Sequence, residues 1–157
     1  MTFRIENRTQ TYDTKLVLSY SANHATAQPG KNSTGATTQY VDLSGEGYTE
    51  GKVIFDVTTL PKLSGTAMQF ALFLQGGKTS TFTSRVPLAV LELGDSATPA
   101  SAGHGVIFNI STDAEERRYI VPFHNEYGGE HYRYLRTFLR LGNSIATGIT
   151  YSAFITQ

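Results

Sequence analysis

The stretch from Tyr132 to Gln157 limits what this chain can fold into more than any other. It holds two runs, YRYLRTFLRL and TGITYSAFIT, joined by a Gly-Asn-Ser turn, with apolar side chains recurring at every second position. A period of two puts alternate side chains on opposite faces of an extended strand, so the chain closes by completing a sheet. Leu135, Leu139 and Leu141, with Thr137, are expected to face a core. Tyr132, Tyr134, Arg136, Phe138 and Arg140 are expected to face outward. On the last strand Ile149, Tyr151, Ala153 and Ile155 share one side.

Upstream the same pattern repeats in short pieces. Strands are predicted at Lys15 to Tyr20, Gln39 to Leu43, Lys52 to Val57, Ala67 to Gln75, Val86 to Leu93, Gly105 to Ile110 and Arg117 to Phe123, ahead of Tyr132 to Leu141 and Thr147 to Thr156. Turn-formers separate them, among them Gly45 to Gly47, Pro61 to Gly65, Gly76-Gly77 and Gly128-Gly129. Met68, Phe70, Leu72 and Leu74 form the core side of the fourth strand. The best helical candidate, STDAEERR, has a cap at Ser111 or Thr112 and room for one turn before a β-branched run. Short, evenly spaced strands with Gly/Pro turns predict an all-β fold: an antiparallel jelly-roll sandwich of about eight strands, with an immunoglobulin-like sandwich as the alternative.

With 157 residues, 39% hydrophobic, the chain is expected to form one domain over 1–157 that buries its own core. Thirteen basic residues offset 13 acidic ones, so net charge directs it to neither nucleic acid nor an anionic membrane. The absence of cysteine excludes disulfides and thiolate chemistry. The start, MTFRIENRTQTYD, has no apolar leader segment, and no run reaches the length of a spanning helix. The expectation is a soluble protein made in a cytoplasm.

The residues that carry chemistry do not converge on a reaction. His124, Glu126, Glu130 and His131 crowd one loop and include metal-ligand types, but their spacing on a Gly-Gly turn matches no closed motif. No Gly-x-Ser-x-Gly turn, paired carboxylates or phosphate loop stands out. His24 and His104 read as ordinary surface residues in loops. No catalytic activity, cofactor or required metal is expected.

The outward row Tyr132, Tyr134, Arg136, Phe138 and Arg140 is the candidate partner-binding surface, because Tyr and Arg join large contact area to directed hydrogen bonds. The competing reading is a solvated face whose arginines lie over tyrosine rings. Two polar segments add candidate contacts: an N-terminal arm over residues 1–14 and an eighteen-residue loop over 21–38, SANHATAQPGKNSTGATT.

Arg133-Tyr134-Leu135-Arg136 with its alternating strand, then Thr147-Gly148 and a final strand with Ala153-Phe154, resembles the closing signature of jelly-roll cement proteins of short-tailed bacteriophages. Val41-Asp42-Leu43-Ser44-Gly45 is similar to that family's first Asp-Leu strand end. Leu72-Phe73-Leu74-Gln75, with the Ser/Thr stretch and Phe82 after it, is similar to its Leu-Gln strand and loop. The resemblance spans residues 37 to 156 and departs from the family in a longer start and in the His- and Glu-rich loop 124–131. It implies a decoration protein on the outer capsid surface of a virion, a homodimer that holds adjacent major capsid protein subunits together. The alternative function is a carbohydrate-binding, lectin-like module of a tail fibre or adhesin.

Overall fold

The computed structural model describes residues 16–26, 28–31, 34–35, 37–45, 47–60, 69–94, 106–110, 117–141 and 148–156. In chain order the strands are β1 (Val17–His24), β2 (Gln28–Pro29), β3 (Val41–Asp42), β4 (Glu50–Thr59), β5 (Gln69–Gly77), β6 (Arg85–Gly94), β7 (Val106–Ile110), β8 (Arg118–His124), β9 (Glu126–Tyr127), β10 (Glu130–His131), β11 (Tyr134–Leu141) and β12 (Ile149–Thr156). Among the described residues there is no α-helix. The helical candidate falls largely outside them, with Arg118 already in β8.

Two sheets face each other. One runs β1-β12-β4-β8, and the other runs β2-β11-β5-β6-β7 with β3 also paired to β11. All pairings are antiparallel except β6 with β7, a parallel pair at one edge. The architecture is therefore an all-β antiparallel sandwich. Its strands interleave, the first pairing the last, in an order compatible with the jelly-roll expectation.

Alternation explains the core. Leu18, Phe55, Phe70, Leu72, Leu74, Leu135, Leu139, Ile149 and Tyr151 are all fully buried in one cluster drawn from both sheets. Each such side chain contributes roughly 1.5–3 kcal/mol by leaving water. Met68 and the side chain of Leu141 lie outside the described residues. Thr137, inward on β11, is fully buried, and its hydroxyl meets the Tyr151 hydroxyl at 3.2 Å, which satisfies both polar atoms inside the sandwich.

Three expectations are corrected. Tyr132 is buried at 5% exposure, not outward, because the period-two phase breaks just before β11. Arg133 and Tyr134 both point away from the core, while Tyr132 packs against Gly76, whose missing side chain leaves the space it fills. Residues 21–38 are not one loop. β1 continues to His24 through pairing with β12, Gln28 and Pro29 pair with β11, and Lys31 bridges Thr38. The partner strand supplies backbone hydrogen bonds that no apolar side chain in the segment announces. Finally, His24 is fully buried rather than on the surface, with its ring 4.8 Å from that of Tyr151. Neither ring nitrogen has a hydrogen-bond partner among the described residues. The N-terminal arm, 1–14, lies outside the described residues.

Candidate partner-binding face

The outer face of β11 is built against β5. Tyr134 pairs with Gly77, Arg136 with Gln75, Phe138 with Phe73 and Arg140 with Ala71. Gly77 carries no side chain into that row, and Phe82 takes the vacated place. A Cβ on Gly77 would lie 2.6 Å from Phe82 Cδ1. The polar loop between β5 and β6 folds back to bring Phe82 there. Its amide donates to the Thr79 carbonyl at 3.1 Å, and its backbone is held at φ 53°, a left-handed conformation costly for a bulky residue. In exchange the ring is buried to 1% exposure on what would otherwise be a solvated face.

Phe82 organises the arginines and tyrosines. The Arg136 guanidinium lies 4.4 Å over the Phe82 ring and 5.8 Å from the Phe138 ring, and its Nε donates to Gln75 Oε1 at 3.0 Å. Burial, then the positive charge of Arg85, holds its pKa below the usual guanidinium value, though it remains charged. Tyr40, 42% exposed, meets Phe82 edge-on at 6.4 Å and Tyr134 at 5.9 Å. Arg133 lies 5.1 Å over Tyr134 and grips Asp42 with both fork nitrogens at 2.7 and 2.8 Å. Asp42 also accepts the Ser44 amide at 2.8 Å. The Arg133 hydrogen bond, then the Ser44 amide, holds its carboxyl below the usual range.

The structure thus brings Tyr134, Arg136, Phe138 and Arg140 together on one face and removes Tyr132 from it. The arginines do lie over rings, as the competing reading held, but the ring best covered is Phe82, which the strand pattern did not include. Tyr40 was missed as well. One signal was available: a lone Phe in the otherwise polar KTSTFTS stretch directly after a Gly-Gly pair.

The His- and Glu-rich hairpin β9–β10 sits beyond the start of β11. Tyr48, 53% exposed, stands between the rings of His124 at 6.1 Å and His131 at 6.2 Å, and its hydroxyl donates to Glu50 at 3.0 Å. That bond raises the phenol above its ordinary pKa. Lys78 pairs with Glu130 at 2.7 Å, which raises the lysine. His131 lies 3.7 Å from Glu126. Tyr48 separates the two histidines, and among the described residues no three His, Asp or Glu side chains gather as a metal site. A groove of about 410 Å³ lined by Gly45, Lys78, His131, Arg133 and Tyr134 joins this hairpin to the β11 face.

Fully buried Asn125 locks that rim. Its side chain accepts the Thr49 amide at 2.7 Å and donates to the carbonyls of Gly47 at 2.9 Å and Tyr132 at 3.2 Å, while its backbone bonds Thr49 and Tyr132. Asn125→Ala leaves the half-buried Thr49 amide and the buried Tyr132 carbonyl without their side-chain partner and should cost about 2–4 kcal/mol in urea unfolding, since each unsatisfied group costs about 1–3 kcal/mol. A loss below about 0.5 kcal/mol would show the rim held by something else.

No protein-family model matches the chain, and no curated protein matches it significantly.

Proposed function

We propose that the protein is a non-catalytic decoration protein that binds the outer surface of a phage capsid and stabilises contacts between major capsid subunits. The observation that carries this reading is the β11 face: a pre-assembled strip of Arg133, Tyr134, Phe82, Arg136 and Phe138 with the hot-spot composition of a binding surface. Parts of the three motifs behind the cement-protein resemblance, Val41-Asp42, Leu72 to Gln75 and Tyr134 to Arg136, lie on neighbouring strands of that same sheet, while Ala153-Phe154 lies on β12 in the other. β3 and β5 both pair with β11, and Asp42 of the first motif holds Arg133 of the last. Rings already stacked lose little conformational freedom on binding.

Such a protein gains avidity from a repeating lattice and stabilises what it binds by mass action. A two-fold homodimer is part of this reading, with sedimentation at high micromolar concentration as its check. The test of the function is heat challenge of purified heads with and without the protein, together with co-sedimentation. Wild type should pellet with heads and raise their heat resistance. Phe138→Asp, a charge placed in the middle of the strip, should weaken retention at least about tenfold. Heads that neither retain the protein nor gain resistance would leave the carbohydrate-binding module as the better reading.

A further inference from the structure

Arg136 is a partly buried cation that no carboxylate among the described residues meets. Its Nε–H is taken by the neutral Gln75, and its terminal N–H groups have no partner among those residues. Two other arginines are paired differently: Arg118 grips Asp56 at 2.7 and 2.6 Å, and Arg133 grips Asp42. A guanidinium taken partly out of water with only a neutral partner costs free energy, and the exposed Arg85 adds like-charge repulsion. The protein nevertheless keeps Phe82 in a left-handed backbone conformation to build this position. Strain of that kind persists where the surrounding structure imposes it, and binding sites are where it concentrates.

We propose that the Arg136 fork, flanked by Arg85, receives the carboxylate of an aspartate or glutamate on an acidic segment of a partner protein. Phe82 and Phe138 cover the guanidinium rings-on, and Tyr40 borders the strip as an exposed aromatic contact. The proposal rests on the reading of the β11 face as a partner surface and names the chemistry of that partner. Guanidinium and carboxylate match as a two-bond fork, the strongest class of polar contact available here. A second copy of this chain is the poorer occupant, because a two-fold contact through the patch brings together two surfaces that each carry Arg85 and Arg136, while the neighbouring Asp42 is already gripped by Arg133. Balanced net charge argues against nucleic-acid phosphate.

The test uses the full chain with ¹⁵N-labelled arginine, titrated with a peptide alternating glutamate and serine. The matched glutamine–serine peptide and inorganic phosphate serve as controls. Glutamate peptide should shift the Arg136 Nε–H resonance saturably, with affinity on the order of millimolar for a single site. Followed on the labelled Arg85 and Arg133 side chains beside the site, Arg136→Gln and Arg136→Lys should each weaken binding about tenfold, since lysine keeps the charge but loses the fork. An equal response to the glutamine peptide, or phosphate binding as tightly as glutamate, overturns the proposal. So does a resonance that moves with protein concentration alone, which would make a second copy the occupant. Co-sedimentation with heads separates the two levels. Loss of retention in Phe138→Asp but not in Arg136→Gln sinks the carboxylate assignment and leaves the face intact; full retention in both sinks the face as well.

Discussion

Between pH 6.5 and about 4 the folded protein should lose roughly 3 kcal/mol of stability through one side chain, His24. The imidazole is fully buried against the Tyr151 ring, and neither nitrogen has a partner among the described residues to share a positive charge. Burial first, and the nearby charge of Lys31 second, lower its pKa to about 4. Tyr151, its phenol pushed up to about 12 by burial, stays neutral throughout. In the unfolded chain the same ring takes up its proton near 6.5. Protons therefore favour the unfolded state between these values. The His24 contribution is whole above about 6.5, declines as pH falls, and is gone below about 4. Against a total stability of roughly 5–15 kcal/mol this is a large share. Urea midpoints at neutral pH and near pH 4 should separate steeply for wild type. His24→Phe keeps a ring against Tyr151 and removes the titration, so its midpoint should move much less and should not fall at neutral pH. Equal acid shifts in the two proteins would mean that His24 is not held neutral in the fold.

That histidine marks where the sequence stops being legible. Strand existence could be read from alternation, because a period of two has one structural meaning when the apolar side repeats as it does in Phe70, Leu72 and Leu74 or in Ile149, Tyr151 and Ala153. All nine strands expected from the pattern are present, and every core residue of those two sets is buried. Alternation says nothing where backbone pairing rather than side-chain burial makes the strand. The SANH end of β1 contains no large apolar residue, yet it pairs with β12 and carries His24 inside. Tyr132 illustrates the second limit: a break in phase is invisible when both candidate positions hold amphipathic residues, and only the space over Gly76 decided it.

The candidate site was legible in half. Tyr134, Arg136, Phe138 and Arg140 share a face because they share a strand, which sequence spacing reveals. Phe82 and Tyr40 join that face from loops, through long-range contacts whose cause is the gap over Gly77. Nothing local in TSTFTS requires the fold-back; the requirement comes from β11, more than 50 residues later in the chain. The arm and several of the connecting segments lie outside the described residues, so their expected contacts with a capsid stand as proposals for the head-binding assay.

Replacing Gly30 by alanine should cost at least about 3 kcal/mol, and by valine should leave little folded protein. The reason is space, not backbone conformation. Gly30 sits where the end of β2 crosses between β1 and β11. Its amide donates to the Thr137 carbonyl at 3.0 Å, and its carbonyl accepts the Gln39 amide at 2.9 Å. A Cβ there would overlap the Leu18 carbonyl oxygen and Thr137 Oγ1 and approach Ser19 Cβ at 2.9 Å. Leu18 and Ser19 belong to one sheet and Thr137 to the other, so relief requires the two sheets to part at this corner. Parting them breaks the buried Thr137–Tyr151 hydroxyl contact and opens the core beside His24. Gly47, exposed and with nothing within 4 Å of an added Cβ, is the matched control, and Gly47→Ala should change stability by less than about 0.5 kcal/mol. Thr137→Ala offers a sharper check, since it removes the side-chain overlap but not the one with the Leu18 carbonyl. The Gly30→Ala/Thr137→Ala double variant should therefore recover only part of the Gly30→Ala loss, a coupling a double-mutant cycle in urea will read. If Gly30→Ala alone unfolds at the wild-type midpoint, the corner opens without penalty, and the close contact between the sheets is not what holds β1 and β11 in place.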